Sequence, residues 1–406
     1  MQTPTKFRAL GTAVCVGVLL AAAAARGPRP GEARDPDEKP APAAAPAAEF
    51  VVGPYLQYAT KTTITVMAET ATPLRCTVRY GLASSLKESA TSPAGTMHEL
   101  RLDNLQPGAK YFYQVSARPD GADGGATVAS KLLTFTTACD AAQPFSFTVI
   151  GDTQKNPAVT GKIAKLMWER RPNFVLHMGD VVDNGPDKRE WTDELFKPCA
   201  ELFSRVPLYP CLGNHEKNHA NYYRYFSLPA PENYYQFSYG NADFFSMDSN
   251  LPIFPGTKQY EWLDKALSAS TAKWKFCYHH HPCYTSDADD YGDTFKGSSA
   301  LGEVKVKALI PLYEKHKVDV AMNGHVHLYE RTHPIKAGKV DRGGVVYLTS
   351  GGGGGKLEIF GPTPTFFKNQ NRVDYHYCYF SILDNVLEGK VFDHEDRLFD
   401  SFEIKK

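Results

Sequence analysis

The chain has 406 residues, of which 42% are hydrophobic and 22% charged, and this composition is typical of a globular protein with two or three folded units. Lysine and arginine together number 45, as do aspartate and glutamate, so the formal net charge is zero. This balance argues against a protein that binds nucleic acid through a basic surface, and no nucleic acid is expected as a structural partner.

The first 25 residues have the pattern of a secretory signal peptide. Lys6 and Arg8 precede an apolar run at 9–25 that ends in small residues and is short for a membrane span. Residues 26–49 are rich in proline and alanine, which predicts an extended linker. Cleavage of the signal predicts a secreted or periplasmic chain without a membrane span, and an uncleaved anchor is the alternative.

Seven cysteines remain once Cys15 in the apolar run is set aside. Export permits disulfide bonds, but the number is odd and the spacing is irregular. The sequence therefore leaves open whether these cysteines are buried free thiols or form one or two disulfides.

Residues 50–138 show short alternating runs without a helical period. Strands are predicted at 62–67, 98–102 and 111–115, with a turn at Leu105-Gln106-Pro107-Gly108. The length of this region suits a β-sandwich.

From residue 144 onward, predicted strands alternate with predicted helices, which favours a layered α/β unit. The closing segment, 377–404, alternates like an edge hairpin that completes this layer. Strands are expected at 145–150, 174–178, 206–212, 243–247, 274–278, 318–322 and 345–348, and helices at 159–170, 187–203, 259–267 and 304–317.

Side chains that bind metals follow five of these strands. In an open α/β sheet the carboxyl ends of the strands meet at the ligand crevice, so these side chains are expected along one rim. A single aspartate after a strand is more often a turn former or helix cap, so the prediction depends on the five strand ends together. The side chains are Asp152, Asp180, Asn214 beside His215, His280 within a run of three histidines, and His325 with His327.

Carboxylate, amide and imidazole ligands together suit zinc, manganese, iron or cobalt ions. Six or seven ligands would crowd one ion but not two ions that share a carboxylate. Two such ions, about 4 Å apart, stabilise the attacking and leaving oxygens of a displacement at phosphorus, with a bridging hydroxide as nucleophile. His215 is then placed to protonate the leaving oxygen or to bind a phosphate oxygen.

Five motifs in this order resemble the calcineurin-like metallophosphoesterases, and within them the purple acid phosphatase branch. The motifs are GD at 151–152, GD at 179–180, GNHE at 213–216, HxPxY at 280–284 and GHVHxYER at 324–331. The segments at 53–57, 64–67 and 105–113 resemble the fibronectin-III-like domain of that branch. The resemblance implies two domains, a fibronectin-III-like β-sandwich at 50–138 and a four-layer α/β metallophosphoesterase sandwich at 144–406.

The resemblance also implies the ligands of two metal ions, whose identity as iron, zinc or manganese stays open. His215 matches the catalytic histidine of the family, and Glu330 and Arg331 are expected to orient the loop that carries two of the ligands. Metal 1 would be bound by Asp152, Asp180 and His327, and metal 2 by Asp180, Asn214, His280 and His325, with Asp180 between them. The further candidates, as weak ligands or as supports for the ligands, are Asp183, Gln154, His177, Glu330 and Arg331.

The sequence departs from the pattern of the branch at Asp183 and at residues 285–290, among other places. Asp183 stands where those enzymes have a tyrosine whose binding to ferric iron gives them their colour. Asp183 is either a weak ligand of metal 1 or a hydrogen-bonding support, and the second is favoured. Residues 285–290 are partly acidic and lack the paired histidines that help plant enzymes to bind phosphate.

The sequence therefore predicts an exported binuclear metal-dependent phosphoesterase that is similar to acid phosphatases and hydrolyses small phosphate monoesters. A phosphodiesterase or nucleotide hydrolase that uses the same metals is the first alternative. A surface-binding protein with a vestigial site is the second, and the complete ligand set argues against it. The partner of the sandwich is unknown, and the glycine run at 351–355 is either a flexible loop or a place of close backbone approach.

Overall fold

The structure is a computed structural model that describes residues 48–121, 127–288, 291 and 300–406. All of these residues belong to a single compact unit. The predicted signal peptide and nearly all of the predicted linker, at 1–47, lie outside the described residues. No helix within the described ranges is both long enough and apolar enough to traverse a lipid bilayer.

The N-terminal part of the described chain is built from antiparallel strands, and the strands predicted from alternation fall within the second, third and fourth of them. Buried side chains alternate along the fourth strand, and Val66, Val78, Tyr113 and Phe135 share a core between these strands. The strands are β1 (Phe50–Gln57), β2 (Ile64–Gly81), β3 (Glu88–Leu102), β4 (Lys110–Arg118), β5 (Val128–Ala129) and β6 (Leu133–Thr136).

The strands that follow include every one predicted from residue 144 onward, with shifts of a few residues at their ends. They are β7 (Phe145–Ile150), β8 (Phe174–His177), β9 (Leu208–Pro210), β10 (Tyr235–Tyr239), β11 (Ala242–Ser246), β12 (Trp274–Tyr278), β13 (Val320–Asn323), β14 (Tyr329–Thr332), β15 (Ile335–Lys336), β16 (Lys339–Val340), β17 (Val346–Ser350), β18 (Lys368–Arg372), β19 (His376–Leu383), β20 (Val386–Asp393) and β21 (Leu398–Lys405).

Two of the predicted helices are shorter than expected because of proline. Asp187 caps its helix as predicted, but Pro198 lacks a backbone N–H and the segment becomes a helix, a π-helical turn and a second helix. Pro311 occupies the first turn of the last helix, which therefore begins at Ile310. The helices are α1 (Pro157–Glu169), α2 (Lys188–Glu190) with the π-helical turn Trp191–Phe196, α3 (Ala200–Phe203), α4 (Ala220–Tyr225), α5 (Lys258–Ala269), and α6 (Ile310–His316) after the 3₁₀ turn Lys307–Leu309.

Two large sheets face each other and form the centre of the fold. The twelve-stranded sheet runs β21-β20-β19-β7-β8-β9-β1-β2-β4-β5, with β3 beside β2 and β6 beside β4, and the seven-stranded sheet runs β10-β11-β12-β13-β17-β14-β18. Phe147 of the first sheet packs against Phe244 and Phe276 of the second, with ring centroids 5.3 and 5.5 Å apart. Helices α1 and α3 cover the outer face of one sheet and α5 and α6 that of the other, so the predicted α/β sandwich has four layers.

The N-terminal strands are continuous with the α/β part. Gln57 of β1 pairs in parallel with Leu208 of β9, and this pairing joins both parts into one sheet. The hydroxyl of Tyr113 also donates a hydrogen bond to the carbonyl of Ser204, at 2.6 Å. The predicted boundary at 138–144 therefore falls in a loop between strands of one compact unit.

The cysteines of the described chain are all buried free thiols, which settles the alternative that the sequence left open.

Candidate metal centre

The predicted side chains follow the carboxyl ends of strands in both sheets. β7, β8 and β9 are parallel neighbours in the first sheet, and β12 and β13 are parallel neighbours in the second. The loops after these strands therefore meet along one rim of the sandwich. The side chains at this rim are Asp152 after β7, Asp180 after β8, Asn214 and His215 after β9, His280 after β12, and His325 and His327 after β13.

One cluster at the rim brings together four of the predicted ligands. Donor atoms of Asp180, His280 and His325 all lie within 4.8 Å of one another, as the ligands of a metal ion must. Asp180 Oδ2 lies 3.1 Å from His280 Nε2. Asn214 Oδ1 lies 2.9 Å from His280 Nε2 and 3.0 Å from His325 Nδ1, so Asn214 completes the cluster.

A second group lies around Asp152 and His327. His327 Nε2 is 3.6 Å from Asp152 Oδ1 and 3.2 Å from Gln154 Nε2. Within the described part of the chain, the buried Oε1 of Gln154 has no hydrogen-bond partner. A buried acceptor without a donor is costly, and a cation bound beside Asp152 and His327 would satisfy it.

The electrostatics of the rim fit a bound cation. His280 Nδ1 lies 2.8 Å from the carbonyl of Met178, to which it donates, so Nε2 is the atom that faces Asp180. Burial alone would lower the pKa of His280, but the Asp180 carboxylate raises it to about 10. Burial likewise opposes ionisation of Asp180, yet the charge of His280 lowers the pKa of Asp180 to about 2. The carboxylate therefore favours a positive charge among these donors, carried either by a proton or by a metal ion.

Three residues of the rim have a backbone conformation that non-glycine residues rarely adopt. Asp152, Asp180 and His325 have φ angles of +59°, +53° and +71°. Gly213 packs against Asp180 and Gly324 packs against Asp152, and both must be glycine. A Cβ on Gly213 would lie 2.1 Å from Asp180 Oδ1, and one on Gly324 would lie 2.4 Å from Asp152 Oδ2. Strained backbone held in this way is typical of functional sites.

Glu216 organises this rim, a role that the sequence did not predict. Its buried carboxylate accepts hydrogen bonds from the backbone N–H groups of Asp180 at 3.0 Å, Val181 at 2.7 Å and Gly213 at 2.6 Å. Burial, followed by the charge of Asp180, raises the pKa of Glu216 to about 8. Its position inside the GNHE motif was the available signal, but the partners of a glutamate cannot be inferred from the motif alone.

His215 is oriented by Asp183. His215 Nδ1 lies 2.6 Å from the backbone carbonyl of Asp183 and 3.1 Å from its carboxylate, and His215 Nε2 lies 3.9 Å from Asp180 Oδ2. Lys155 Nζ lies 3.0 Å from the same Asp183 carboxylate. These contacts favour a hydrogen-bonding role for Asp183 over a role as metal ligand.

The other histidines near the rim have separate partners. The histidines on either side of His280 lie beyond the end of β12. His279 Nδ1 lies 2.7 Å from the carbonyl of His281, whereas His281 Nδ1 lies 2.8 Å from Ser249 Oγ and its ring lies 4.5 Å from that of His325. His177 Nε2 lies 3.0 Å from Thr153 Oγ1, and burial lowers the pKa of His177 to about 3. His177 thus supports the loop after β7, in agreement with a role in the core rather than as a ligand.

The prediction for Glu330 and Arg331 needs correction. Glu330 accepts hydrogen bonds from the N–H and hydroxyl of Ser286, and Arg331 donates two hydrogen bonds to Asp400, at 2.7 and 2.9 Å. Successive side chains of a strand point to opposite faces, so the two residues of β14 hold the segment after β12 and strand β21. The hydrogen bonds that the described residues show for these two side chains therefore go to Ser286 and Asp400, rather than to the loop at 325–327, which they were expected to orient.

The glycine run at 351–355 approaches the rim closely. A Cβ on Gly351 would lie 2.1 Å from the carbonyl of Val326 and 2.9 Å from Asp152 Oδ2, and one on Gly355 would lie 2.6 Å from the ring of His327. Of the two interpretations of this run, close backbone approach is confirmed.

Comparison with known proteins shows a family to which the residues around this rim are similar. Residues 145–329 match the family model described as calcineurin-like phosphoesterase. Purple acid phosphatase 15 of Arabidopsis thaliana is 26% identical over 307 residues, which are 66% of this chain and 55% of that protein. Acid phosphatase type 7 of Danio rerio is 26% identical over 363 residues, or 79% of this chain and 80% of that protein. Probable inactive purple acid phosphatase 1 of Arabidopsis thaliana is 24% identical over 362 residues, or 77% of this chain and 58% of that protein.

Two solved structures share the fold. A purple acid phosphatase from yellow lupin (Lupinus luteus) seeds superposes with a TM-score of 0.77 at 21% identity, over 87% of this chain and 74% of that chain. A structure of PhoD superposes with a TM-score of 0.65 at 14% identity, over 89% of this chain and 92% of that chain.

Proposed function

Because residues 145–329 match the calcineurin-like phosphoesterase family model, we propose that this chain is a metal-dependent phosphatase that hydrolyses small phosphate monoesters with two metal ions. The cluster of Asp180, His280 and His325 carries the proposal, since these residues converge at the rim within the reach of one ion. The family implies divalent metal ions, and this donor set suits iron, zinc or manganese.

The ligands of the two ions follow from the two groups at the rim. The first group would bind one ion through Asp152 and His327, with Gln154 as a further donor. The second would bind the other through Asn214, His280 and His325. Asp180, which already contacts the second group, would be shared between the ions.

Bound divalent ions would supply charge that polarises the phosphoryl oxygens and lowers the pKa of a water molecule. His215 acts on the leaving group rather than on the attacking water. Its Nδ1 is held by Asp183, so its Nε2 is the atom that donates a proton to the leaving oxygen. The side chain of His215 is 29% exposed, so a substrate can reach it from solvent.

The proposal extends to the parts of the chain outside the rim. Export is supported by the signal-like pattern at 1–25, and a fibronectin-III-like sandwich at 50–138 is supported by six strands with a core of their own. Mass spectrometry of the N-terminus of the protein recovered from the culture medium or periplasm tests the proposed export.

The central experiment combines metal analysis with rates on a phosphate monoester and a phosphate diester. The protein as purified should contain two metal ions per chain, lose activity on chelation and regain it with zinc, manganese or iron. Asp180→Ala should lose both metals, whereas Asp193→Ala, which removes an exposed carboxylate paired with Lys197, should keep them. Full activity in a metal-free sample would refute the proposal, and faster hydrolysis of the diester would replace the substrate class.

The names of two relatives include the words probable inactive, so a vestigial site is the competing proposal. Every ligand position of this chain retains a donor side chain, and this argues for activity. An inactive protein that still binds two metal ions would decide for the competing proposal.

A further inference from the structure

We propose that a cleft remote from the metal centre binds a small anion that carries phosphate. The cleft lies between the N-terminal strands and the turn that joins α1 to β8, and its volume is about 640 Å³. Its lining includes three basic side chains, a tryptophan and two threonines: Lys110, Arg171, Arg205, Trp168, Thr134 and Thr136.

One wall of the cleft is a face of the β4–β6 pair. Lys110 pairs with Thr136, and Phe112 pairs with Thr134. Paired residues lie on the same face and alternate residues share it, so Lys110, Thr134 and Thr136 lie side by side. This wall therefore presents one ammonium group and two hydroxyl groups.

The opposite wall comes from the α/β part. Trp168 lies in the last turn of α1, Arg171 begins the turn before β8, and Arg205 follows α3. The hydroxyl of Tyr113 in β4 donates a 2.6 Å hydrogen bond to the carbonyl of Ser204, beside Arg205. This buried contact fixes the distance between the walls, so the cleft is formed before any ligand binds.

The charge of the cleft is positive. Among the described residues that line it, the one carboxylate is that of Glu201, which is bonded to Arg205 at 2.9 Å and to Lys131, so its charge is already neutralised. In the described ranges, neither Lys110 nor Arg171 is paired with a carboxylate. The guanidinium of Arg171 lies 3.7 Å from the ring centre of Trp168, and this stacking leaves its N–H edges available to a ligand.

Phosphate is the group that these donors match. A guanidinium binds two phosphate oxygens at once, an ammonium adds a point charge, and hydroxyl groups donate further hydrogen bonds. The cleft volume lies within the range of sites for small molecules and exceeds what a single phosphate ion fills. A phosphorylated small molecule therefore fits better than inorganic phosphate.

This ligand is separate from the substrate at the metal centre. Arg171 lies before the first residue of β8, whereas the ligand Asp180 lies after its last residue. The cleft and the proposed metal centre therefore lie at opposite ends of strand β8, and an anion in the cleft cannot reach the proposed metal ligands.

Calorimetry on the metal-loaded protein tests the proposal, with inorganic phosphate and the non-hydrolysable methylenediphosphonate as probes. Wild type should show two classes of site for the diphosphonate, and the double variant Lys110→Gln/Arg171→Gln should weaken one class at least tenfold. The turnover number of the double variant should stay within twofold of wild type. Lys61→Gln, which removes an exposed ammonium group paired with Asp140 outside the cleft, is the matched control and should bind as wild type does.

Tryptophan fluorescence gives a second readout, because Trp168 lines the cleft. The diphosphonate should change the emission of wild type and of Asp180→Asn, but not that of Trp168→Phe. Unchanged binding by the double variant, or loss of every site in Asp180→Asn, would show that the probes bind only at the metal centre and would overturn the proposal. Equal affinity for the two probes would exclude a ligand with more than one phosphate.

Discussion

The carboxylate of Glu216 and the backbone N–H of Asp180 are 36 positions apart in sequence and form a hydrogen bond of 3.0 Å. The same carboxylate binds the N–H of Gly213, so one side chain joins the loops after β8 and β9. Asp180 needs this support because its φ angle of +53° is unfavourable in isolation. The position of Asp180, the proposed shared ligand, is therefore set by Glu216, which is not itself a proposed ligand.

Glu216→Gln should destabilise this arrangement. The amide group would place N–H donors against backbone N–H donors, and a buried donor left without an acceptor costs about 1–3 kcal/mol. Urea denaturation should report this loss of unfolding free energy, and metal affinity should fall at least tenfold. Glu190→Gln, which removes a single bond to the N–H of Asn184, is the control and should change metal affinity little. Wild-type metal affinity in Glu216→Gln would show that the carboxylate is dispensable.

Gly213→Ala should displace Asp180. The added methyl group would lie 2.1 Å from Asp180 Oδ1 and 2.2 Å from its backbone nitrogen, distances that no rotamer change relieves. We expect loss of at least one metal ion per chain, measured by elemental analysis, with activity reduced more than a hundredfold. At Gly95 the closest atom to an added methyl group is 3.7 Å away, so Gly95→Ala should retain metals and activity. Retention of both metals in Gly213→Ala would contradict the geometry.

The sequence predicted local features of the fold well. Strands β7 and β12 were predicted to the residue, because each is a short apolar run with a motif directly after it. The ends of the helices depended on particular prolines, and Pro198 divides a helix whose apolar pattern continues past it. Propensity alone does not show how a chain accommodates such a proline.

The long-range contacts of the site were beyond sequence reasoning. Arg331 pairs with Asp400 in β21, 69 positions further on, so its role depends on where the last strand lies. The four N–H groups bound by Glu216 likewise come from loops that meet only in the folded chain. The proposed metal ligands could be predicted from the sequence because each follows a strand within a few residues, whereas the residues that support them could not.

The protein loaded with ferric iron should lack the visible charge-transfer band of a tyrosinate. Asp183 contacts His215, and the hydroxyl of Tyr329 donates to Asp400 at 2.6 Å, so these positions supply no phenolate. Absorption spectroscopy checks this expectation, and a purple preparation would contradict it.

Asp183→Asn should lower activity by no more than about tenfold, because the backbone carbonyl still holds His215 Nδ1 at 2.6 Å.

The stability of the protein should fall on acidification because of His376. Burial lowers the pKa of His376 to about 4, below the value of about 6.5 in an unfolded chain. Between these values the unfolded state binds the extra proton, so the free energy of unfolding decreases as the pH falls, and it is fully retained above about pH 6.5. At pH 5 the loss from this group is about 2 kcal/mol.

Urea denaturation at pH 7.5 and pH 5 checks this pH dependence. His376→Gln removes the titrating ring, so the variant should lose less unfolding free energy between these pH values than wild type loses. An equal pH dependence in His376→Gln and wild type would show that other groups account for the loss.

His215→Ala should separate proton donation from metal binding. His215 Nδ1 is held by Asp183 and its Nε2 lies 3.9 Å from Asp180, so the ring is placed beside the cluster rather than within it. The variant should keep both metal ions and lose about 10² to 10⁴ in rate on alkyl phosphates, which is the usual contribution of a general acid. The loss on a nitrophenyl phosphate should be smaller, because that leaving group needs little protonation.

Rates on both esters and the metal content of the same sample decide between the roles of His215. Loss of a metal ion would make His215 a ligand, and an equal loss of rate on both esters would make it a phosphate-binding residue. Asp183→Asn is the matched comparison, since it removes the carboxylate that orients Nδ1 while the ring remains. Should His215 not be the acid, His281 is the histidine to test next, because its ring lies 4.5 Å from that of His325, whereas His279 is turned toward the backbone of His281.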